Sequence, residues 1–267
     1  MPHYHNLRAD QAAGKPYGVI TRGTTGVNRL RRSDRWTRYH PRVQSLFQGG
    51  HPLAVDVGYG ASHTTTVEWA RWLREINPAT EVVGLEIDPQ RVLPPRDGVR
   101  FELGGFELAG YSPQLVRAFN VLRQYDASQV PEVWETVCSR LAPGGLFIEG
   151  TCDELGRRCA WVLLDGSGPQ SLTLSWDPAD VRRPSDVAER LPKVLIHRNV
   201  PGEKIHDFFV AADQAWERAA GWAPHGPRVR WDVALADLAR EWPVARQRTH
   251  LRDNTVTVDW AAVAPRP

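Results

Sequence analysis

Residues 53–66 constrain the fold more than any other stretch. An apolar run with β-branched residues, Leu53-Ala54-Val55-Asp56-Val57, leads through Gly58-Tyr59-Gly60 to a threonine cluster, Thr64-Thr65-Thr66. Such a run reads as a strand, and the alternate glycines read as a tight turn. A helix follows, because Trp69, Trp72, Leu73 and Ile76 recur at i, i+3, i+4 and i+7 and Thr65 and Glu68 stand at capping-box spacing. Pro78 ends it. A glycine turn either needs positive φ or lets a ligand approach bare backbone, and the helix start beyond it presents unpaired N–H groups.

Taken alone, Gly-x-Gly is a weak signal, since many tight turns need two glycines and bind nothing. The next apolar run, Glu81-Val82-Val83-Gly84-Leu85-Glu86-Ile87-Asp88, predicts a second strand with an acid at its carboxyl end. In a doubly wound sheet that position faces the ligand crevice, where a carboxylate can accept both hydroxyls of a ribose.

On these residues the sequence resembles the class I S-adenosylmethionine-dependent methyltransferases. Two further pieces extend the resemblance over residues 50–176: Leu141-Ala142-Pro143-Gly144-Gly145-Leu146-Phe147-Ile148-Glu149, similar to the family's turn into strand 5, and Phe119-Asn120-Val121-Leu122, similar to its segment closing strand 4. The resemblance implies a three-layer α/β Rossmann-like sheet, mostly parallel with antiparallel C-terminal strands. It implies S-adenosylmethionine as cofactor, contacted by Asp56, Gly58, Gly60 and Glu86, with Asp88, Phe106, Asn120 and Arg22 as further candidates. Two departures stand out: Ser62 occupies the place of a third glycine, and Gly104-Gly105-Phe106 follows strand 3 where the family often has an acid for the adenine amine. Phe106 stacking on the adenine is one reading of that segment; a plain glycine turn with Phe106 in the core is the other.

The methyl acceptor would lie at the end of strand 4. Asn120, Arg123 and Tyr125 are the catalytic candidates there, beside Gln124; Asp126 serves equally well as a helix cap. Methyl transfer chiefly requires alignment of the acceptor, and a general base only where the acceptor must lose a proton. The Asn/Asp-Pro-Pro-aromatic motif of many exocyclic-amine methyltransferases is absent, which argues against that subclass. Thr151-Cys152 resembles the RNA 5-methylcytosine enzymes, but Asp153 follows and strand 4 lacks the partner cysteine, so a passive Cys152 is the plainer reading. Glu149, Asp153 and Arg157 remain substrate-facing candidates.

Charge is unevenly placed. Residues 1–42 hold nine basic residues against two acids although the whole chain is only +2, and seven arginines fall between Arg22 and Arg42. This basic arm reads as a nucleic-acid contact, as a lid with Arg22 or Arg29 on the methionyl carboxylate, or as a solvated helix whose Leu30 and Trp36 pack on the sheet. His3 and His5 are assigned to a terminus, and no metal site is expected. Cys138, Cys152 and Cys159 lack metal spacing and predict reduced thiols in a soluble, cytoplasmic protein. No stretch is long and apolar enough to span a membrane.

Three regions result: an arm at 1–48, a cofactor-binding core at 49–176 and a C-terminal helical extension with a final strand at 177–267. The core ends in a hairpin, Ala160–Asp165 and Ser171–Trp176. In the extension, Ile205, Phe208, Phe209, Ala212 and Trp216 form one helical stripe; Leu235, Leu238, Ala239 and Trp242 form another, with Asp232 as its cap. His197, Arg198 and Asn199 are either pocket or packing residues. The expected function is methyl transfer to a small molecule in preference to RNA; an RNA-binding or RNA-modifying methyltransferase and a non-catalytic binding protein of the same fold are the alternatives.

Overall fold

A computed structural model describes residues 16–20, 25–245 and 254–266. Helices α1 (Arg31–Tyr39) and α2 (Pro41–Leu46) precede β1 (Leu53–Val57), and α3 (Thr64–Arg74) carries the chain across to β2 (Glu81–Glu86). β3 (Val99–Leu103) and β4 (Leu115–Phe119) follow with only single 3-10 turns between the strands, as the Gly/Pro-interrupted linkers dictate. α4 (Val130–Cys138) leads to β5 (Leu146–Cys152), then to the hairpin β6 (Arg158–Asp165) and β7 (Gly168–Trp176). The extension supplies α5 (Lys193–Ile196), α6 (Lys204–Arg218), α7 (Pro227–Leu238), β8 (Val244–Ala245), β9 (Asn254–Asp259) and α8 (Trp260–Val263).

Among the described residues, nine strands form one sheet in the order β3-β2-β1-β4-β5-β6-β7-β9-β8. β1 to β5 are parallel, and every pairing from β5–β6 outward is antiparallel. This is a three-layer, Rossmann-like α/β fold. The strand order reverses at β1, which has β2 on one side and β4 on the other; in such sheets the crevice at that switch point is where ligands bind.

The central strands are buried on both faces and so are mainly apolar, with Asp56, Arg117 and Glu149 as buried charged residues among them. Ala54, Leu146 and Ile148 face the layer that contains Trp36, Val43, Trp69 and Leu73 from the first three helices and Phe47 just after the second. Val55, Val57 and Phe147, one residue out of phase, face the layer built from α4 and the extension, including Val133, Phe208 and Trp231. β9 belongs to the same sheet, so residues 254–259 complete the core.

A buried ion cluster ties the arm to the sheet. The Arg117 guanidinium on β4 donates to Asp56 at 2.9 and 2.7 Å, to Asp34 on α1 at 2.6 Å and to the Thr65 carbonyl at 2.8 Å. It also lies 4.4 Å over the Trp69 ring. Leu30 and Trp36 are buried, matching the packing reading of the arm. Of its arginines, Arg32 is buried and bonds the Gly156 and Trp176 carbonyls and Asp177, while at the surface Arg38 pairs with Glu75 and Arg42 with Asp165.

Several local expectations are corrected. α7 begins at Pro227, so Asp232 sits on its exposed side instead of capping it. The Thr65/Glu68 capping box does not form, because the Glu68 carboxylate holds the Asn28 N–H at 2.9 Å. Asp126 takes the capping role beside Gln129. The three-thiol reading also fails: Cys152 and Cys159 stand directly opposite in the β5–β6 register, with Cα atoms 4.2 Å apart, and are joined as a disulfide, leaving Cys138 free. Among the described residues, no helix is long and apolar enough to cross a membrane and no cluster of His, Cys, Asp and Glu could hold a metal.

Candidate functional site

The turn after β1 has the geometry that its glycines suggest. Gly58 and Gly60 adopt φ of +71° and +82°, and a Cβ on Gly58 would stand 2.7 Å from Val121 Cγ2. Only glycine allows both the left-handed backbone and that approach of the β4 end. Across the turn, the Glu86 carboxylate accepts from the Gly60 N–H at 3.0 Å, Ile87 at 2.9 Å and Asp88 at 3.2 Å. Burial raises its pKa, while those three N–H groups pull it back. The carboxylate therefore braces β2 against the turn at the switch point.

Residues 16–20 lie over this floor as a strap. The Tyr17 N–H donates to Glu107 at 2.5 Å and its carbonyl accepts from the Phe106 N–H at 2.9 Å. A Cβ on Gly105 would run into that carbonyl. Tyr17, Gly18 and Val19 thus sit against Ile87, Phe106 and Val121, and the space left between strap and floor is only about 10 Å³, room for one water at most.

Beyond Asn120 and Val121 the site opens. A cavity of about 460 Å³ lies at the carboxyl ends of β4 and β5, lined by Arg29, Asn120, Arg123, Gln124, Cys152, Glu154 and Arg190. Asn120 has φ of +61°, a conformation that asparagine tolerates better than most residues. Its N–H bonds the Gly150 carbonyl at 2.8 Å and its side-chain oxygen accepts from Cys152 N–H at 3.0 Å, so it clasps the ends of β4 and β5 together. Arg29 is oriented by the Asp153 and Cys152 carbonyls, at 2.8 and 3.2 Å.

The residues singled out in the sequence divide among these places. Gly58, Glu86 and Phe106 line the floor beneath the strap, while Asn120 and Arg123 line the open cavity. Tyr125 is buried, edge-to-face with Phe106 at 6.0 Å, and burial pushes its phenol far above the range of a neutral-pH base. Asp88 caps the 3-10 turn 89–91 and pairs with Arg91. Asp56 is corrected: alternation along β1 turns its side chain to the opposite face of the sheet, into the Arg117 cluster with Thr66. Arg22 lies outside the described residues. Arg190 and Glu154 were missed, because nothing local marks them; their link to the site is the cavity itself.

No protein-family model and no curated protein matches the sequence. Among solved structures the chain is similar to human N-acetylserotonin methyltransferase in complex with SAM, at 18% identity and a TM-score of 0.34, over 45% of this chain and 33% of that one. It is also similar to a sugar N-methyltransferase of Streptoalloteichus, at 14% identity and a TM-score of 0.34, over 59% and 73% of the two chains. A third likeness is to the CcbJ methyltransferase of Streptomyces caelestis, at 16% identity and a TM-score of 0.33, over 54% and 70%. The chain therefore spans about a third of the human enzyme's length, and likenesses at these scores add nothing to what the strand order shows.

Proposed function

We propose that the chain is an S-adenosylmethionine-dependent methyltransferase acting on a small molecule. One observation carries the reading: at the switch point of a β3-β2-β1-β4-β5 sheet, the Gly58/Gly60 turn and the Glu86 carboxylate form a cradle that adjoins an open polar cavity. The cradle fits the cofactor, since Gly58 leaves backbone bare and Glu86 offers acceptors for ribose hydroxyls; the volume fits it only with the strap moved aside.

Gly58, Gly60, Glu86 and Phe106 would hold the cofactor, and Asn120 would separate it from the acceptor. When bound, S-adenosylmethionine supplies a methyl group on a sulfonium; its loss leaves a neutral thioether, and an N–H or O–H acceptor releases one proton. The chain's task is then alignment, because a displacement at an activated carbon depends on near-attack geometry. Asn120, locked between β4 and β5 by its two hydrogen bonds, gives the cavity a rigid wall. Among the described residues the cavity lining holds no carboxyl or imidazole other than Glu154 at its exposed rim, so an acceptor already deprotonated at working pH suits it.

The filled crevice favours a second reading, a methyltransferase fold retained for binding without turnover. Calorimetric titration with S-adenosylmethionine and S-adenosylhomocysteine, beside a Glu86→Ala variant shown to be folded, tests the first. Saturable binding weakened by the substitution supports it, and turnover then separates enzyme from binder. No saturable binding by the wild type removes the methyltransferase reading.

A further inference from the structure

Three guanidinium groups converge on the open cavity. Arg29 comes from the segment before α1, Arg123 from the 3-10 turn after β4, and Arg190 from the 3-10 turn 184–190 that follows the hairpin. Against them the lining sets one carboxylate, Glu154. The arginines are held where they are: Arg29 by two carbonyls, Arg123 by the Glu189 carbonyl at 3.2 Å, and Arg190 through its own carbonyl, which accepts from Thr151. Like charges gathered in a half-buried concavity repel unless an anion joins them. Burial lowers the pKa of Arg123, and the neighbouring Arg190 lowers it further. The chain supplies a partial answer itself, since the Glu189 and Glu154 carboxylates lie 3.3 and 3.9 Å from Arg190.

Guanidinium forks match carboxylate and phosphate oxygens, and several together fix an anion's orientation as well as its position. We propose that the methyl acceptor is a small molecule carrying a carboxylate or phosphate group, seated by Arg29, Arg123 and Arg190 in the cavity beside Asn120. The anionic group would lie on the arginine side, leaving the rest of the molecule to extend toward Asn120. This rests on the methyltransferase reading for the word acceptor; the anion site itself does not.

A small molecule is favoured over a nucleic-acid backbone by the surroundings. An extended polyanion needs a track of exposed cations, whereas Arg32, Arg38 and Arg42 of the arm are engaged within the chain. Glu154 stands at the cavity rim, and Glu189, next to Arg190 in the chain, pairs with Arg158 and Arg190 at 3.3 Å. These carboxylates would repel the flanking phosphates of a strand while leaving the interior attractive to one compact anion.

The test is calorimetric titration of the full chain at low ionic strength with inorganic phosphate and, separately, with succinate. Wild type should bind at least one of the two saturably, and the tighter names the group on the acceptor. The double variant Arg123→Gln/Arg190→Gln should weaken that binding at least tenfold. Glu154→Gln removes the competing internal carboxylate and should tighten it two- to fivefold, a gain that misfolding cannot imitate. No saturable binding of either anion, or a Glu154→Gln variant that binds no better than wild type, overturns the proposal. So does displacement of phosphate by a single-stranded RNA dodecamer at a hundredfold lower concentration, which would make the cavity part of a nucleic-acid interface. S-adenosylhomocysteine titrated into the same samples keeps the two readings apart: anion binding without cofactor binding sinks only the methyltransferase assignment, and the reverse sinks only the anion site.

Discussion

Glu149 offers the sharpest test of the packing described above. It lies on β5, in register with Ala118 of β4 and Val162 of β6, is 1% exposed, and neither carboxyl oxygen has a hydrogen-bond partner among the described residues. Burial alone pushes its pKa from 4.5 up to about 8. The folded chain therefore keeps a proton that the unfolded chain releases between those values. Because the native state binds more protons there, stability falls as pH rises, by at most about 1.4 kcal/mol per pH unit. From pH 4.5 to 7 the loss from this one group approaches about 3 kcal/mol, and it levels off above pH 8. Glu149→Gln keeps the shape and removes the titration. Urea unfolding of both proteins at each pH from 5 to 9 gives a difference curve in which the variant gains relative to wild type up to pH 8 and then holds steady. Asp34, which burial pushes up to about 7, titrates in both proteins and cancels in the difference. A difference that stays flat from pH 5 to 8 would show that the Glu149 carboxyl is ionised and solvated, and the reasoning would be wrong.

Further expectations are as follows. Arg117→Leu leaves Asp34 and Asp56 buried without their cation and should lower stability by about 3–5 kcal/mol at pH 7 in urea unfolding, where a change under 1 kcal/mol would deny the cluster its role. Gly58→Ala forces a Cβ against Val121 at positive φ and should destabilise the fold by about 1–3 kcal/mol, seen as a lowered melting temperature. Glu107→Ala removes the acceptor of the Tyr17 and Gly105 N–H groups; if the strap competes with the cofactor, loosening it by about 1.4 kcal/mol raises S-adenosylhomocysteine affinity about tenfold, and an unchanged affinity in calorimetry would refute the competition.

The parts of the fold that were legible in the sequence are those encoded over a few neighbouring residues. The Gly58/Gly60 turn, Glu86 at the end of β2, the β6–β7 hairpin and the stripe of α6 each announce themselves by spacing within one element. What stayed hidden depends on residues brought together from far apart. Asp56 looked like a ligand group because it precedes the glycine turn, yet Arg117 and Asp34, 61 and 83 positions from their partners, claim that face of the sheet. Cys152 and Cys159 could have been paired from the sequence: they flank a tight turn, and continuing β5 by three residues brings them opposite each other. The arginine cavity gave no such signal, since its three cations come from three separate segments and only the assembled sheet sets them side by side.

The strap over the crevice has a consequence in time rather than in affinity. While Tyr17 to Val19 remain docked, nothing larger than a water enters between them and the glycine turn, so a ligand that needs that floor must wait for the segment to lift. The observed rate of binding would then rise with ligand concentration only to a ceiling, set by how often the strap lifts. That ceiling would be the same for every crevice ligand, whatever its strength, and stopped-flow traces with two such ligands of different affinity would level off together.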